Sequence, residues 1–523
     1  MKIHLLLLLF MINFSVQAQV TFQKTIGGTG IDIGYSICET IDGGYVITGS
    51  TESFGAGNSD VYLIKLNEYG DSLWTKTFGG IDNELGTSVQ QTTDGGYIIV
   101  GSTYSFGAGH SDIYLIRTDS NGDSLWTKTF GRMDYDDGYS VQKTSDGGFI
   151  IIGNTSDLSS GSYYDVFLIK TDANGDSMWT KTFGGTDADF GYSIQQTSDS
   201  GYIISGVNSG FNVTEGEVYL IKTDSYGDSV WTKSFGGSGY DWGASVQQTS
   251  DGGYIIGGAT VSFGAGNYDI YLIKTDSNGD SLWTKTIGSA GEERGSSIQQ
   301  TTDGGFIITG FILALGAGND AAYLVKTDGS GNLIWTKTFG GPTNDFGFSG
   351  IQTTDGGYII TGYTESFGAG NADIYIIKTD ANGNSGCNNS SIPTGVFSPT
   401  TLVSIPIASM SVPNTLVTNP PTIVGRGGIG NILCTSVGIN EILEENSLVI
   451  FPNPANSQCT IHDADFKIGI VEIFNFIGEK MYNTRASNCG LWTVDCRLFP
   501  TGIYFVNVIN ENGNATQKLI VQH

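Results

Sequence analysis

The chain repeats itself at a fixed interval. Asp-Gly-Gly followed by an aromatic residue recurs at Asp42, Asp94, Asp146, Asp251, Asp303 and Asp355, and Asp199-Ser200-Gly201 fills the one gap. The steps are 52 or 53 residues throughout. A second marker keeps phase twenty residues upstream, at Phe22, Trp74, Trp126, Trp179, Trp231, Trp283 and Trp335. A period near 50 confines a chain to architectures that stack one unit, a propeller or a solenoid. The 77 glycines do not point to collagen, because there are only 10 prolines and no Gly-X-Y period. With 27 Phe, 25 Tyr and 8 Trp the chain can bury a core.

One unit reads as four strands. Gly95–Ser102 and Asp112–Thr118 are continuous apolar runs, as strands buried on both faces require. Ser124–Phe130 alternates, with Trp126, Lys128 and Phe130 on one side. Tyr139–Thr144 is short and polar, fit for an edge. Asn121-Gly122 closes a tight hairpin. No stretch sustains a helical period, so the fold is all-β, and seven such units predict a seven-bladed β-propeller. The array opens with third- and fourth-strand residues, Thr21–Ile26 and Tyr35–Thr40. It ends with a first and a second strand, Gly357–Thr364 and Asp373–Thr379. The N-terminus is therefore expected to supply the two strands that the last blade lacks.

Residues 1–18 read as a signal peptide: Lys2, an apolar run from Leu5 to Phe14, and small residues at Val16-Gln17-Ala18. That run is too short to span a bilayer, so no transmembrane anchor is expected in the mature chain. Residues 19–384 form the predicted propeller. Residues 385–446 read as an extended linker, rich in Ser, Thr and Asn, with prolines at 393, 399, 406, 413 and 420. Export places Cys38, Cys387, Cys434, Cys459, Cys489 and Cys496 in a disulfide-permissive compartment. Cys387 and Cys434 bracket the linker and could staple its ends, one option among 15 pairings of six cysteines.

Residues 447–523 show short alternating strands and turn residues. Phe451-Pro452-Asn453-Pro454 opens the segment, Val471–Asn475 and a Gly478-Glu479 turn follow, then Phe499-Pro500-Thr501-Gly502-Ile503-Tyr504, and Lys518–Val521 closes it. This order resembles the C-terminal sorting domain of type IX secretion substrates from Bacteroidota-type bacteria, although Phe499 stands where Leu is usual. The resemblance implies an immunoglobulin-like sandwich, with Pro452, Asn453, Pro454, Pro500, Gly502, Tyr504 and Lys518 as its sorting motif. It implies the type IX machinery as partner of 447–523, and a body that is secreted or attached to the outer cell surface. The repeats also look like the Gly-rich repeats of secreted proteins of this kind, a likeness that carries no established activity.

Fifty-two acids against 24 bases give a formal net charge of -28, which argues against nucleic acid and anionic membranes as partners. Gly-Asp-Ser-Leu at Gly70, Gly122 and Gly279 carries the letters of a serine-hydrolase motif, but it sits in hairpins without a positioned histidine. Asp119, Asn121 and Asp123 space oxygen ligands as a calcium loop begins, without the Glu that would complete it. Calcium is thus the one cofactor to consider, and turn chemistry is the simpler account. Asp-Ser-Leu also resembles the short O-glycosylation acceptor motif of such bacteria. Histidine is too scarce for a metal cluster, and no phosphate-binding loop occurs.

An acid stands two residues before a glycine between the third and fourth strands of every unit: Asp32, Glu84, Asp136, Asp189, Asp241, Glu293 and Asp345. Seven-fold recurrence fits a turn-stabilising role. The residue after each acid varies, and so do the loops joining first to second strands. Function concentrates on such loops. Phe190, Phe211, Tyr240 and Trp242 make the fourth and fifth units the most distinctive and are the expected binding residues for an unknown glycan or protein. The expected function is non-catalytic binding, adhesion or scaffolding outside the cell. The alternative is a carbohydrate-active enzyme, a glycosidase or lyase with paired carboxylates in the propeller channel.

Overall fold

The computed structural model describes residues 19–157, 162–185, 187–209, 216–313, 319–387, 389–390, 394–399, 402–404, 409–411, 416–418, 423–425, 429–438, 448–451, 458–463, 468–475, 479–487, 491–510 and 513–521. The expected signal peptide, Phe211 and Pro452-Asn453-Pro454 lie outside them. The chain divides into two compact units, Met1–Ile439 and Asn440–His523. Among the described residues there is no α-helix, and none long and apolar enough to cross a membrane.

The repeats of the first unit build seven antiparallel sheets. In the second of them, Glu84–Gln91, Tyr97–Thr103, Asp112–Thr118 and Ser124–Gly131 pair in sequence order. The short polar strand therefore opens a sheet, whereas the sequence reading made it the closing edge of the preceding one. The cause is the Asp-Gly-Gly turn, which is a hairpin. Thr92 N–H donates to Gly96 O at 2.8 Å and Gly95 N–H to Thr92 O at 3.0 Å. The N-terminus consequently supplies one strand to the last sheet, not two: Gln19–Gly27 pairs with Asp373–Thr379. Asp32–Glu39 instead opens the first sheet.

Each sheet packs on the next through apolar residues of its middle strands. Val46, Val61, Leu63 and Phe78 of the first sheet meet Val89, Tyr97, Ile99, Tyr114 and Ile116 of the second in one buried cluster. Burial on both faces explains the unbroken apolar runs. Each such side chain contributes roughly 1.5–3 kcal/mol. The seven first strands touch in order, and Asp345–Gln352 of the last touches Asp32–Glu39 of the first.

Polar latches repeat with the sheets. Lys76 reaches from the fourth strand of the first sheet to Asp123 in the hairpin of the second at 2.6 Å. Lys24–Asp71, Lys128–Asp176, Lys181–Asp228 and Lys233–Asp280 repeat the contact. The ring of Trp74 occupies the space beside Gly122, where a Cβ would approach it to 2.6 Å. Gly122 also has a φ of 77°, so this place in Gly-Asp-Ser excludes side chains twice over. The motif is a latch between sheets.

Residues 385–438 do not run free as the expected linker would. They add a fifth strand to every sheet, visiting them in reverse order. Asn389–Ser390 joins the sixth sheet, then Gly395–Phe397, Leu402–Ser404, Ser409–Ser411, Leu416–Thr418 and Ile423–Gly425 join the fifth to the first. Ile429–Gly438 finally pairs with Gln19–Gly27. Of the regularly spaced prolines Pro399 lies among the described residues, just past the end of Gly395–Phe397. Proline cannot donate to a ladder, which suits its place beyond the end of a short pairing. Cys387, at the start of this belt, is disulfide-bonded. Cys38 and Cys496 are free thiols.

The second unit has a three-stranded sheet (Leu448–Phe451, Gln458–Asp463, Leu491–Asp495) and a four-stranded one (Lys480–Ser487, Ile468–Asn475, Gly502–Asn510, Gly513–Val521). Val494 of the first shares a core with Val471, Ile473, Val506 and Leu519 of the second.

Two outcomes follow from this geometry. Ser200 holds a φ of 68° where six repeats place glycine. Ser200→Gly should raise stability by about 0.5–1 kcal/mol in urea melts, and a neutral or lower value contradicts the strain. Deleting residues 19–27 leaves Ile374 and Ile376, now fully buried, beside an unpaired edge. The shortened protein should aggregate in light scattering and melt well below the parent.

Candidate functional site

Six of the seven recurring acids open the first strands, Glu293 stands second in its own, and all are 0% exposed. Each accepts the amide four residues upstream: Gly28 N–H to Asp32 at 2.8 Å, Gly80 to Glu84 at 2.8 Å and Gly185 to Asp189 at 2.8 Å. Arg132, Gly237, Ser289 and Gly341 serve Asp136, Asp241, Glu293 and Asp345 in the same way. Glu84 also accepts the Thr103 hydroxyl at 2.8 Å. These carboxylates fix the crossing from one sheet to the next.

A second acid opens the third strand of most sheets and lies against the first. A Cβ on Gly79 would stand 2.1 Å from Asp60 and 2.5 Å from Glu84. Burial, with the charge of Asp112 behind it, pushes Asp136 up to about 6. Burial, with Asp165 nearby, pushes Asp189 up to about 7. In the outer hairpins Asp119 accepts the amides of Asn121 and Asp123 at 2.8 and 2.9 Å, while Asp123 pairs with Lys76. Among the described residues no three His, Cys, Asp or Glu side chains gather as a metal-ligand set.

The residue after each acid is half-buried, and it differs from sheet to sheet: Ile33, Leu85, Asp137, Phe190, Trp242, Arg294, Phe346. Phe190 and Trp242 thus lie on first strands, not on loops as expected, because the amide-bound acid already begins the strand. Tyr240 stands in the loop just before. These residues sit in a tract of ring contacts. Trp242 packs on Tyr240 at 5.8 Å and on Tyr268 at 5.3 Å. The Arg294 guanidinium lies 3.9 Å over Tyr268, 5.6 Å from Trp242 and 5.8 Å from Phe311. Phe311 meets Phe346 at 4.6 Å, Phe346 meets Tyr363 at 4.8 Å, and Phe348 stacks on Tyr35 at 5.5 Å. Phe190 belongs to a second group, with Tyr164 at 5.3 Å and Tyr192 at 6.1 Å.

Sequence reasoning missed Tyr35, Tyr192 and Phe348. Their signal was an aromatic immediately after the acid-x-Gly triplet. Tyr268, Phe311 and Tyr363 had no such signal, since they reach the tract from other strands and loops.

In the second unit Tyr504 is buried and donates to Pro500 O at 2.8 Å, while Pro500 is exposed. Phe499 packs on Tyr504 at 5.2 Å, so the Pro-x-Gly-x-Tyr stretch is a folded corner. Lys518 pairs across the ladder with Phe505.

Residues 449–522 match the family described as secretion system C-terminal sorting domain. This C-terminal sorting domain supports the chain as a substrate of type IX secretion, with an extracellular or cell-surface destination. It is 27% identical over 201 residues to the regulatory protein FlaEY of Caulobacter vibrioides, covering 32% of this chain. The chain spans about a fifth (21%) of that relative's length. Among solved structures, a protein of unknown function from Dyadobacter fermentans aligns at 12% identity and a TM-score of 0.39, covering 70% of this chain and 99% of the other. Sqt1 from Chaetomium thermophilum aligns at 10% identity and a TM-score of 0.38, covering 65% and 82%.

The buried acids predict a stability profile. Asp136 and Asp189 titrate higher folded than unfolded, so their contribution is complete below about pH 4 and is lost as pH rises through their folded values. The Asp-Gly-Gly acids behave oppositely. At Asp94 the Thr92 hydroxyl, then Arg117, outweigh burial and hold it at about 2. At Asp146 and Asp251 burial is outweighed by Thr, Lys and amide donors together, again to about 2. Their contribution is complete above about pH 4 and is lost as pH falls below it. The melting temperature should therefore peak between about pH 4 and 6. A maximum at pH 8 or above contradicts this balance.

Proposed function

We propose that this type IX substrate is a non-catalytic binding protein. In this reading residues 19–384 form a seven-bladed β-propeller, residues 1–18 are a cleaved signal, and residues 447–523 fold as an immunoglobulin-like sorting sandwich. Cyclic contact among the first strands and the seam at Gln19–Gly27 support the propeller. First strands line the central channel of such a fold, so the aromatic tract would rim one channel mouth.

That tract carries the functional reading. The frame is near-identical from sheet to sheet, and the acids present in every repeat are engaged by backbone amides. Variation is concentrated at the position after them, where rings from neighbouring sheets meet. Rigid aromatics offer large contact area at low entropy cost.

Trp242→Ala and Phe190→Ala separate binding from packing. Loss of retention on immobilised extracellular polymer with an unchanged melting temperature supports the reading. A marked fall in melting temperature, with retention kept in the folded fraction, makes both residues core. For export, a chain ending at residue 446 should stay in the periplasm, and its normal appearance in the medium would falsify a sorting role for 447–523.

A further inference from the structure

The rings from Tyr240 to Tyr35 cross four consecutive sheets, the fifth to the seventh and then the first, joined by the stacked Arg294. All are half-buried, so each combines packing with a solvent-facing part. Four bear phenolic hydroxyls: Tyr240, Tyr268, Tyr363 and Tyr35. The charges alongside are mostly negative. Arg294, the one base in the tract, is ion-paired with Glu292 at 3.2 Å as well as stacked. Burial, with the charges of Glu292 and Glu365, raises the Asp320 carboxyl. Burial, with Glu365 and Asp320, pushes Tyr363 up to about 12.

Such a surface discriminates. An anionic polymer would meet the Asp320 and Glu365 carboxyls in a chain of net charge -28. A purely apolar ligand would leave carboxylates and phenols without partners. A pyranose has apolar C–H faces to lie on the rings and hydroxyls that donate to Glu292, Asp320 and Glu365. Ring pairs with centroids 4.6 to 5.8 Å apart carry the platform from sheet to sheet, so it extends over several sheets instead of enclosing one small molecule.

Resting on the binding reading above, we propose that the tract from Tyr240 to Tyr35 is an extended platform for an uncharged glycan chain. Its pyranose units stack on the rings while their hydroxyls bond to the flanking carboxylates and phenols.

The test uses the full secreted protein in native affinity gels. The probes are hydroxyethylcellulose, laminarin, xyloglucan and galactomannan, with polygalacturonate as the anionic and casein as the protein probe. Retardation by at least one neutral glycan is expected, unchanged on raising salt, because uncharged ligands are not screened. Trp242→Ala and Phe346→Ala should each weaken it by about tenfold, and Trp242→Phe should restore most of it. Leu125→Ala, an exposed side chain on the fourth strand of the second sheet, should change nothing. Should an alanine variant melt early, Tyr35→Ala at the far end of the tract and Trp242→Phe carry the comparison. Retention only by polygalacturonate or casein, lost in the same variants, overturns the glycan assignment and leaves binding at the tract standing. No retention by any probe, or retention that none of the tract variants moves, overturns both.

Discussion

The first unit depends on one backbone seam. Gln19–Gly27 pairs with Asp373–Thr379 on one side and with Ile429–Gly438 on the other. Without it the last repeat would have three strands and an open apolar edge, and an open edge recruits other chains. Side chains reinforce the ladder. Gln23 is fully buried, accepts the Tyr375 hydroxyl, and donates to Ser385 Oγ at 2.7 Å and to Cys387 O. The seam therefore gathers the N-terminal strand, the last repeat and both ends of the belt. Closing so long a loop costs little more than closing one of moderate length, since the entropy grows only logarithmically.

Away from the seam, constancy comes from charge placed where water is scarce. Each third strand ends in a cation that is 1–8% exposed, Lys65 or Arg117 for example, paired with the acid of its own Asp-Gly-Gly turn. Lys65 also donates to Leu66 O at 2.9 Å. The acids of these pairs are largely exposed, so their Coulomb energy is screened and their value lies in fixing the turn. The buried acids at the opposite end work differently. They are anchored by amides, and in Asp136 and Asp189 burial and a neighbouring carboxyl favour the protonated form.

This division explains how a near-identical frame carries a particular surface. Turns, latches and middle strands are determined by packing and recur in every repeat. The position after each buried acid escapes both constraints, because its side chain leaves the core while its backbone stays in the ladder. It can become Asp137, Trp242 or Arg294 without disturbing the sheet. A strand holds these groups more rigidly than a loop would, which suits recognition.

The repeat, its four strands, the all-β class and the sorting domain were legible in the sequence, because period, alternation and turn residues are local signals. The sequence reading also marked Phe190, Tyr240 and Trp242 as exceptional, because neighbouring repeats serve as the reference. It placed the polar strand at the wrong end of its sheet, since a hairpin and a crossover of similar length look alike until hydrogen bonds are assigned. Nor did it reveal that Pro-spaced residues 385–438 add a strand to every sheet, or that Tyr268, Arg294, Phe311 and Tyr363 converge on one tract. Both depend on edges and side chains that meet only after hundreds of intervening residues have folded. A strand edge accepts any compatible backbone, so the tertiary structure alone decides which segment pairs with it.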